Sequence, residues 1–237
     1  MTIKSLGFGW NAPTHQTITE QAFLNVQKES KNHKTTDLAE KMAKFDLPKL
    51  KDFSVKPDID EPGLFGKTFS NNCHFYDTRT KRNYILTKDT AKKRFIDHST
   101  EAANQFKKGN ITEATKHLGR ACHFLGDLGM SWHTHTPTVI NAKLRLKSHE
   151  AFEEVASNKL PEILPRLPKF ETEARTLTPA GQFVSFITDL AEKTAKESSA
   201  DWSIAKKEKT WGQAAEVGIQ KSVKVMTKFL STFFRHL

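Results

Sequence analysis

Cysteine is scarce in this chain: Cys73 and Cys122 are the only two among 237 residues. Two thiols exclude a disulfide-built scaffold and a four-cysteine zinc site. Long hydrophobic runs are missing as well. No apolar stretch reaches the length of about eighteen residues that a spanning helix needs. Met1–Gly9 is too short and too weakly apolar for a signal peptide. No internal repeat, low-complexity tract or pair of strand-like segments stands out. What is present is 37% hydrophobic residues, 27% charged residues, 17 Phe and 4 Trp, enough for a sizeable core. The length fits one compact domain or two very small ones. Lys and Arg number 37 against 27 Asp and Glu, a net charge of +10 that suits an anionic partner.

Apolar spacing predicts helices throughout. Thr14–Val26 places Ile18, Ala22, Phe23 and Val26 near one face. Thr36 or Asp37 caps a second helix through Ala43. Residues 52–88 hold Pro57, Pro62, Gly63 and Gly66 and read as a long loop with one short helical turn. A loop of that length is usually functional. Helices resume at Thr90–Lys107. After Gly109 and Asn110 another runs to about Gly126, with Thr112 as its N-cap. Pro137 bounds a loop, Ser148–Lys159 is helical, and Pro161, Pro165 and Pro168 punctuate a connector. Pro179–Ser198 and Trp211–Arg235 are the last helices. The expectation is an all-α, single multi-helix domain with long metal-bearing loops.

The most informative stretch holds His123 and Asp127, four residues apart, followed by His133. An i, i+4 pair faces one side of a helix, so the imidazole and the carboxylate reach one cation. Gly129 ends that helix and turns His133 back toward the same pocket. Sixteen residues further on, His149 and Glu153 repeat the i, i+4 spacing. A lone pair of this kind is usually a surface or capping pair. Two pairs with a histidine between them exceed the four ligands one zinc takes, and imply more than one metal.

These residues resemble the zinc-dependent phospholipase C family, which includes the clostridial alpha-toxin catalytic domain. Trp10 and His15 look like the family's N-terminal Trp and nearby His. Pro57, Asp58 and Asp60 resemble its Pro-Asp motif, and Asn72–Asp77 resembles its loop His segment through His74. Trp202 and Trp211–Ala215 resemble its final helices, so the likeness covers roughly residues 10–235. The resemblance implies three zinc ions. The first would be held by Trp10 through its backbone, His15 and Asp127. The second would be held by Asp58, His74, His123 and a bridging Asp127, and the third by His133, His149 and Glu153. It implies that Asp58 doubles as the base for an attacking water. It also implies hydrolysis of phospholipids to diacylglycerol and a phosphorylated head group, and secretion or export. Residues 10–237 would then be the catalytic domain and 1–9 an N-terminal extension or leader remnant, with no separate membrane-binding domain after Leu237. A monomer is expected.

Two departures qualify the likeness. In the family the first metal is completed by the free α-amino group of an N-terminal Trp, whereas Trp10 follows nine residues here. An internal amide nitrogen is a very poor ligand, because its lone pair is delocalised. Cleavage after Gly9 would restore the site. Without it, two zinc ions are expected, or Met1–Gly9 covers the site as a pro-segment. The choline-selective members use aromatic side chains around the head group, but the matching positions are Ile59 and Asn71. That turns the expected substrate from phosphatidylcholine toward anionic lipids. The single-strand-specific fungal zinc nucleases are a second resemblance. They share the Trp10–His15 spacing but typically end in His-x-x-x-Asp, so nucleic acid stands as the alternative substrate. A non-catalytic lipid-binding relative is the third reading.

Other features have plainer readings beside functional ones. Residues 79–120 carry 11 Lys and Arg against 4 Asp and Glu. This strip can meet lipid or nucleic-acid phosphates, or it is a solvated helix face. Leu64–Phe69 can dip into a bilayer or simply pack over the loop. Cys73 and Cys122 each precede a proposed ligand and read as buried free thiols, with a disulfide as the alternative. His135 is a substitute for His133. His33, His98 and His236 read as surface residues.

Overall fold

A computed structural model describes residues 10–32, 36–61, 72–135, 139–168 and 180–237. Met1–Gly9, His33, Leu64–Phe69, Asn71 and Pro137 lie outside the described residues. Among the described residues the chain is all-α, and the only β pairing is an isolated bridge between Asp77 and Arg82.

The chain opens with α1 (Ala12–Asn32), α2 (Thr36–Ala43) and α3 (Leu47–Phe53). Asp46 starts α3 by accepting the Lys49 N–H at 3.1 Å, and its apolar positions Leu47, Leu50 and Phe53 repeat every three residues. The short turn expected in the irregular region is α4 (Pro57–Asp60), with proline in the first turn, where its missing N–H costs nothing. A 3-10 turn follows at Asn72–His74. Next come α5 (Ala91–Lys107), α6 (Ile111–Leu128), α7 (Ser131–Thr134), α8 (Val139–Ile163), α9 (Ala180–Ala200), α10 (Trp202–Ala205) and α11 (Trp211–His236).

Several boundaries differ from the sequence reading. Asn110, not Thr112, occupies the cap position of α6, after Gly109 at φ +79°. The Asn110 side chain bonds Gln105 Oε1 at 2.8 Å instead of capping. Pro161 does not end α8, which continues to Ile163. The proline gives up its N–H bond and crowds the carbonyl four residues back, and the burial of Leu160 and Ile163 opposes that cost.

The helix α6 is the centre of the fold. Its residues from Leu118 to Leu128 are all buried. It packs along α5 on one side and α3 on another, while α1, α8 and α9 gather around α11. Gly119 permits the α3 crossing, because a Cβ there would lie 2.8 Å from the Leu50 carbonyl oxygen. Phe229, Phe233 and Phe234 from α11 are fully buried, each contributing roughly 2–3 kcal/mol of transfer free energy. Buried within these helices, α6 holds two polar side chains, His123 and Asp127, near its C-terminal end. No helix among the described residues is long and apolar enough to cross a membrane.

Candidate metal centre

Six elements deliver side chains to one buried region at the C-terminal end of α6. That helix carries His123 and Asp127 one turn apart, and both are fully buried. His15 arrives from the first turn of α1, His74 from the 3-10 turn, and Asp58 from α4. His133 comes from α7, and His149 and Glu153 from successive turns of α8. Gly126 lets His15 approach: a Cβ there would meet His15 Nδ1 at 3.1 Å. The His15 ring stacks on His123 at 4.0 Å between centroids.

The donor atoms form three groups, each with its atoms within 4.8 Å of one another. One contains His15, His123 and Asp127; another Asp58, His74 and His123; the third His133, His149 and Glu153. The two oxygens of Asp127 point different ways. Oδ2 lies 2.9 Å from His74 Nδ1 and 3.3 Å from His123 Nε2, while Oδ1 lies 3.5 Å from His15 Nε2. That is the orientation a carboxylate needs to bridge two cations. Asp58 Oδ1 faces the same pair, 3.6 Å from both His74 Nδ1 and His123 Nε2. In the third group His149 Nε2 lies 3.1 Å from His133 Nε2 and 3.0 Å from Glu153 Oε1.

Backbone carbonyls choose the tautomers. His123 Nδ1 donates to Ser54 O at 2.9 Å, and His133 Nδ1 donates to His74 O at 2.8 Å. Each bond leaves an Nε2 lone pair aimed inward, the usual way a ligating imidazole is oriented. His15 Nε2, Asp58 Oδ1 and Asp127 Oδ1 are buried with no hydrogen-bond partner. Orphaned buried acceptors are costly, and a divalent cation satisfies them.

The electrostatics agree. Burial, reinforced by neighbouring imidazoles, holds His15, His74 and His133 well below the ordinary histidine range. Burial pushes His149 down to about 3. Asp58 is pushed up to about 7, first by burial; Asp127 and Glu153 add to the rise and His123 opposes it. Burial and Glu153 also raise Asp127 well above its usual value. Neutral imidazoles beside carboxylates that resist ionisation form a site whose charge balance a bound cation corrects. The nitrogen and oxygen donors, without thiolate, suit zinc.

Trp10 is expected to act through its backbone, and its side chain has a separate place. Its side chain is a core element, fully buried, with Nε1 donating to Gly126 O at 3.1 Å. His135 is not in the cluster: its ring stacks on Trp202 at 5.0 Å. His98 is not a surface residue; its side chain is 13% exposed and its Nδ1 lies 2.9 Å from His117 Nδ1. His236 is half-buried and stacks on Phe183. Cys73 and Cys122 are buried free thiols.

Sequence reasoning missed the support around Asp58. Glu61, just after α4, receives Arg94 Nη1 at 3.1 Å, His98 Nε2 at 3.1 Å and Arg120 Nη1. Arg120 also holds Asp60 at 2.6 Å. Together these bonds pin the turn that carries Asp58 to α5 and α6. A signal existed, because Arg120 sits three residues before His123 and so near its face of the helix.

A family model described as zinc dependent phospholipase C matches residues 14–218. The chain belongs to this family. Among curated proteins of the family, phospholipase C of Paraclostridium bifermentans is 28% identical over 156 residues, covering 61% of this chain and 38% of that protein. Phospholipase C of Clostridium perfringens is 27% identical over 179 residues, covering 68% and 43%. The chain thus spans about two fifths of the length of these relatives. In structure it resembles the alpha toxin of Clostridium absonum, with a TM-score of 0.73 and 22% identity over 99% of this chain and 65% of that one. The Clostridium perfringens alpha-toxin of an avian strain gives 0.69 and 23%, covering 98% and 64%. At that identity the likeness shows the fold, and the fold is the all-α one expected.

Proposed function

We propose that this zinc-dependent phospholipase C family member is a phosphodiesterase that hydrolyses phospholipids to diacylglycerol and a phosphorylated head group. The observation that carries the reading is Asp127. It is fully buried and turns one oxygen to His74 and His123 and the other to His15, with Asp58 facing the same histidines. This suits clustered cations clamping a phosphodiester. His15 and Asp127, with the Trp10 backbone, would hold one zinc. Asp58, His74, His123 and Asp127 would hold a second, and His133, His149 and Glu153 a third. Bound zinc supplies positive charge for the phosphoryl oxygens and acidifies water near neutral pH.

The chain's own residues do the rest. Asp58 Oδ1 takes the proton of the attacking water as its oxygen bonds to phosphorus. The bond from phosphorus to the glycerol oxygen breaks, and that oxygen leaves with its electron pair and takes up the proton held by Asp58 to become the diacylglycerol hydroxyl. The turn α4 lies at the surface: Ile59 is 64% exposed, while the neighbouring Asp58 side chain is 7% exposed and faces the histidines. Phe75, stacked 4.6 Å from His133, and Trp132, stacked against His149, keep water from the third group.

The test assays phospholipid vesicles and single-stranded nucleic acid side by side, with zinc and with chelator, alongside metal analysis of the intact chain. Chelator-sensitive release of phosphorylated head group is expected, with three zinc ions per chain, or two while Trp10 remains internal. Cleavage of nucleic acid alone would overturn the reading in favour of a nuclease. Vesicle binding without product release would favour a non-catalytic lipid binder.

A further inference from the structure

Beside the metal centre lies a surface built from residues that hold no proposed zinc. A groove of about 710 Å³ runs over Tyr76. Lys81, Arg82, Lys88, Lys92 and Lys93 line it against two carboxylates, Asp97 and Glu192. Glu192 is engaged by Lys92 at 2.7 Å and by the Tyr76 hydroxyl at 2.6 Å, and Asp97 by Lys93. The cations outnumber the carboxylates, and the groove keeps a positive excess.

Its rim is a rigid loop, residues 77–90. Asp77 Oδ1 accepts the N–H groups of Arg79 and Thr80 at 2.8 and 3.2 Å. Asn83, buried at the loop's centre, accepts those of Ile85 and Thr87 at 3.1 and 3.0 Å. Arg82 Nη1 donates to Leu86 O at 2.7 Å. The result holds Leu86 at φ +65° with its side chain 58% exposed. The left-handed region disfavours residues with a Cβ, most of all bulky ones. This loop therefore spends strain on holding a leucine out in water.

We propose that the 77–90 loop and the first turn of α5 dock on an anionic phospholipid bilayer, with Leu86 entering the headgroup boundary and Arg82, Lys88 and Lys93 meeting lipid phosphates. Positive charge beside an exposed aliphatic anchor is the chemistry of interfacial binding. A nucleic-acid groove would instead offer aromatic faces for stacking. Tyr76 is 3% exposed and covered by Lys81 and Lys92, and Tyr84 packs edge-on against Phe75 at 4.9 Å. The surface is continuous with the site. Tyr76 N donates to His133 O at 2.9 Å, and Arg94 joins Asp89 on the rim to Glu61, three residues after Asp58. The inference rests on the phospholipid reading and adds where the bilayer is held.

The experiment measures sedimentation of the zinc-loaded full chain with vesicles of pure phosphatidylcholine, or of phosphatidylcholine mixed with phosphatidylglycerol. Turnover of a soluble short-chain phospholipid is followed in parallel. Binding is expected to be stronger to the anionic vesicles and to weaken with salt. Arg82→Gln with Lys88→Gln should lower partition about thirtyfold while soluble turnover holds. Leu86→Gly relieves the strained backbone, so it should leave the melting temperature equal or higher yet weaken partition about tenfold. Equal binding to both vesicle types, or unchanged partition of these variants, would overturn the proposal. So would a single-stranded oligonucleotide that displaces the chain from vesicles while Leu86→Gly has no effect. Soluble turnover without vesicle preference would sink the docking surface and leave the phospholipase reading. Anionic vesicle binding without any phospholipid turnover would do the reverse.

Discussion

Asp58 and Glu61 stand three positions apart, and both side chains are nearly buried, at 7% and 10% exposure. Their carboxyls nonetheless meet opposite conditions. Burial drives Asp58 up to about 7, Asp127 and Glu153 add to the rise against His123, and one oxygen is left without a hydrogen bond. Burial acts on Glu61 too, but bonds and charge from His98 and Arg120 overcome it and hold Glu61 down at about 2. One carboxylate is prepared for a cation that must arrive; the other already has its cations built in. The difference teaches that burial alone does not make a functional carboxylate. What distinguishes a candidate ligand is burial with its partners withheld.

Substitution can break the contrast at several depths. The largest effect is expected at Asp58→Asn, which removes the base and a ligand together; hydrolysis of phospholipid should fall by about 10²–10⁴-fold. Activity equal to the unmodified chain would show that Asp58 plays neither part. Next comes His149→Ala, which dismantles the third donor group. Metal analysis should find about one zinc fewer per chain than in the parent, and an unchanged content would refute the grouping.

Glu61→Gln sharpens the comparison from the other side. Arg94 and Arg120 would keep Asp89 and Asp60 as partners, so the loss should be about 2 kcal/mol in urea unfolding near neutral pH. The sign with pH follows from the depressed value. Glu61 contributes fully above about 4.5, and the contribution disappears as pH falls from there toward about 2, because the unfolded chain binds its proton first. The stability gap between parent and variant should therefore close on acidification. A gap that stays constant would show that Glu61 acts through packing rather than charge. The smallest effect is expected at Tyr76→Phe, which deletes the 2.6 Å bond to Glu192. About 1 kcal/mol of stability should be lost, read from the same unfolding curves.

Much of this architecture is legible in short stretches of sequence. The helices Thr36–Ala43 and Ala91–Lys107 stand close to where the sequence puts them, although Thr36 and Asp37 lie inside the first helix rather than capping it, and Thr90 caps the second. The short helix Leu47–Phe53 escapes notice because seven residues give barely two turns of periodicity. Thr112 looks like a cap because of its hydroxyl, yet Gly109 at positive φ breaks the chain earlier and gives Asn110 the position. At the site, the i, i+4 pairs are legible because helical geometry is local. The Glu61–Arg120 contact joins residues 59 apart, and no local period reports it.

The sequence by itself determined the helical class and the two pairs that one helical turn brings onto a common face. Those features depend on neighbours in the chain, where 3.6 residues per turn leave little freedom. Only the tertiary structure decided how the groups share atoms. It turned the two oxygens of Asp127 toward different histidines, brought His15 against His123, and separated His133 from His135. It also placed Leu86 in a strained, exposed position beside the lysines of α5. Each of these outcomes depends on where distant helices cross, and packing around α6 sets those crossings through many small contacts that no single stretch of sequence encodes.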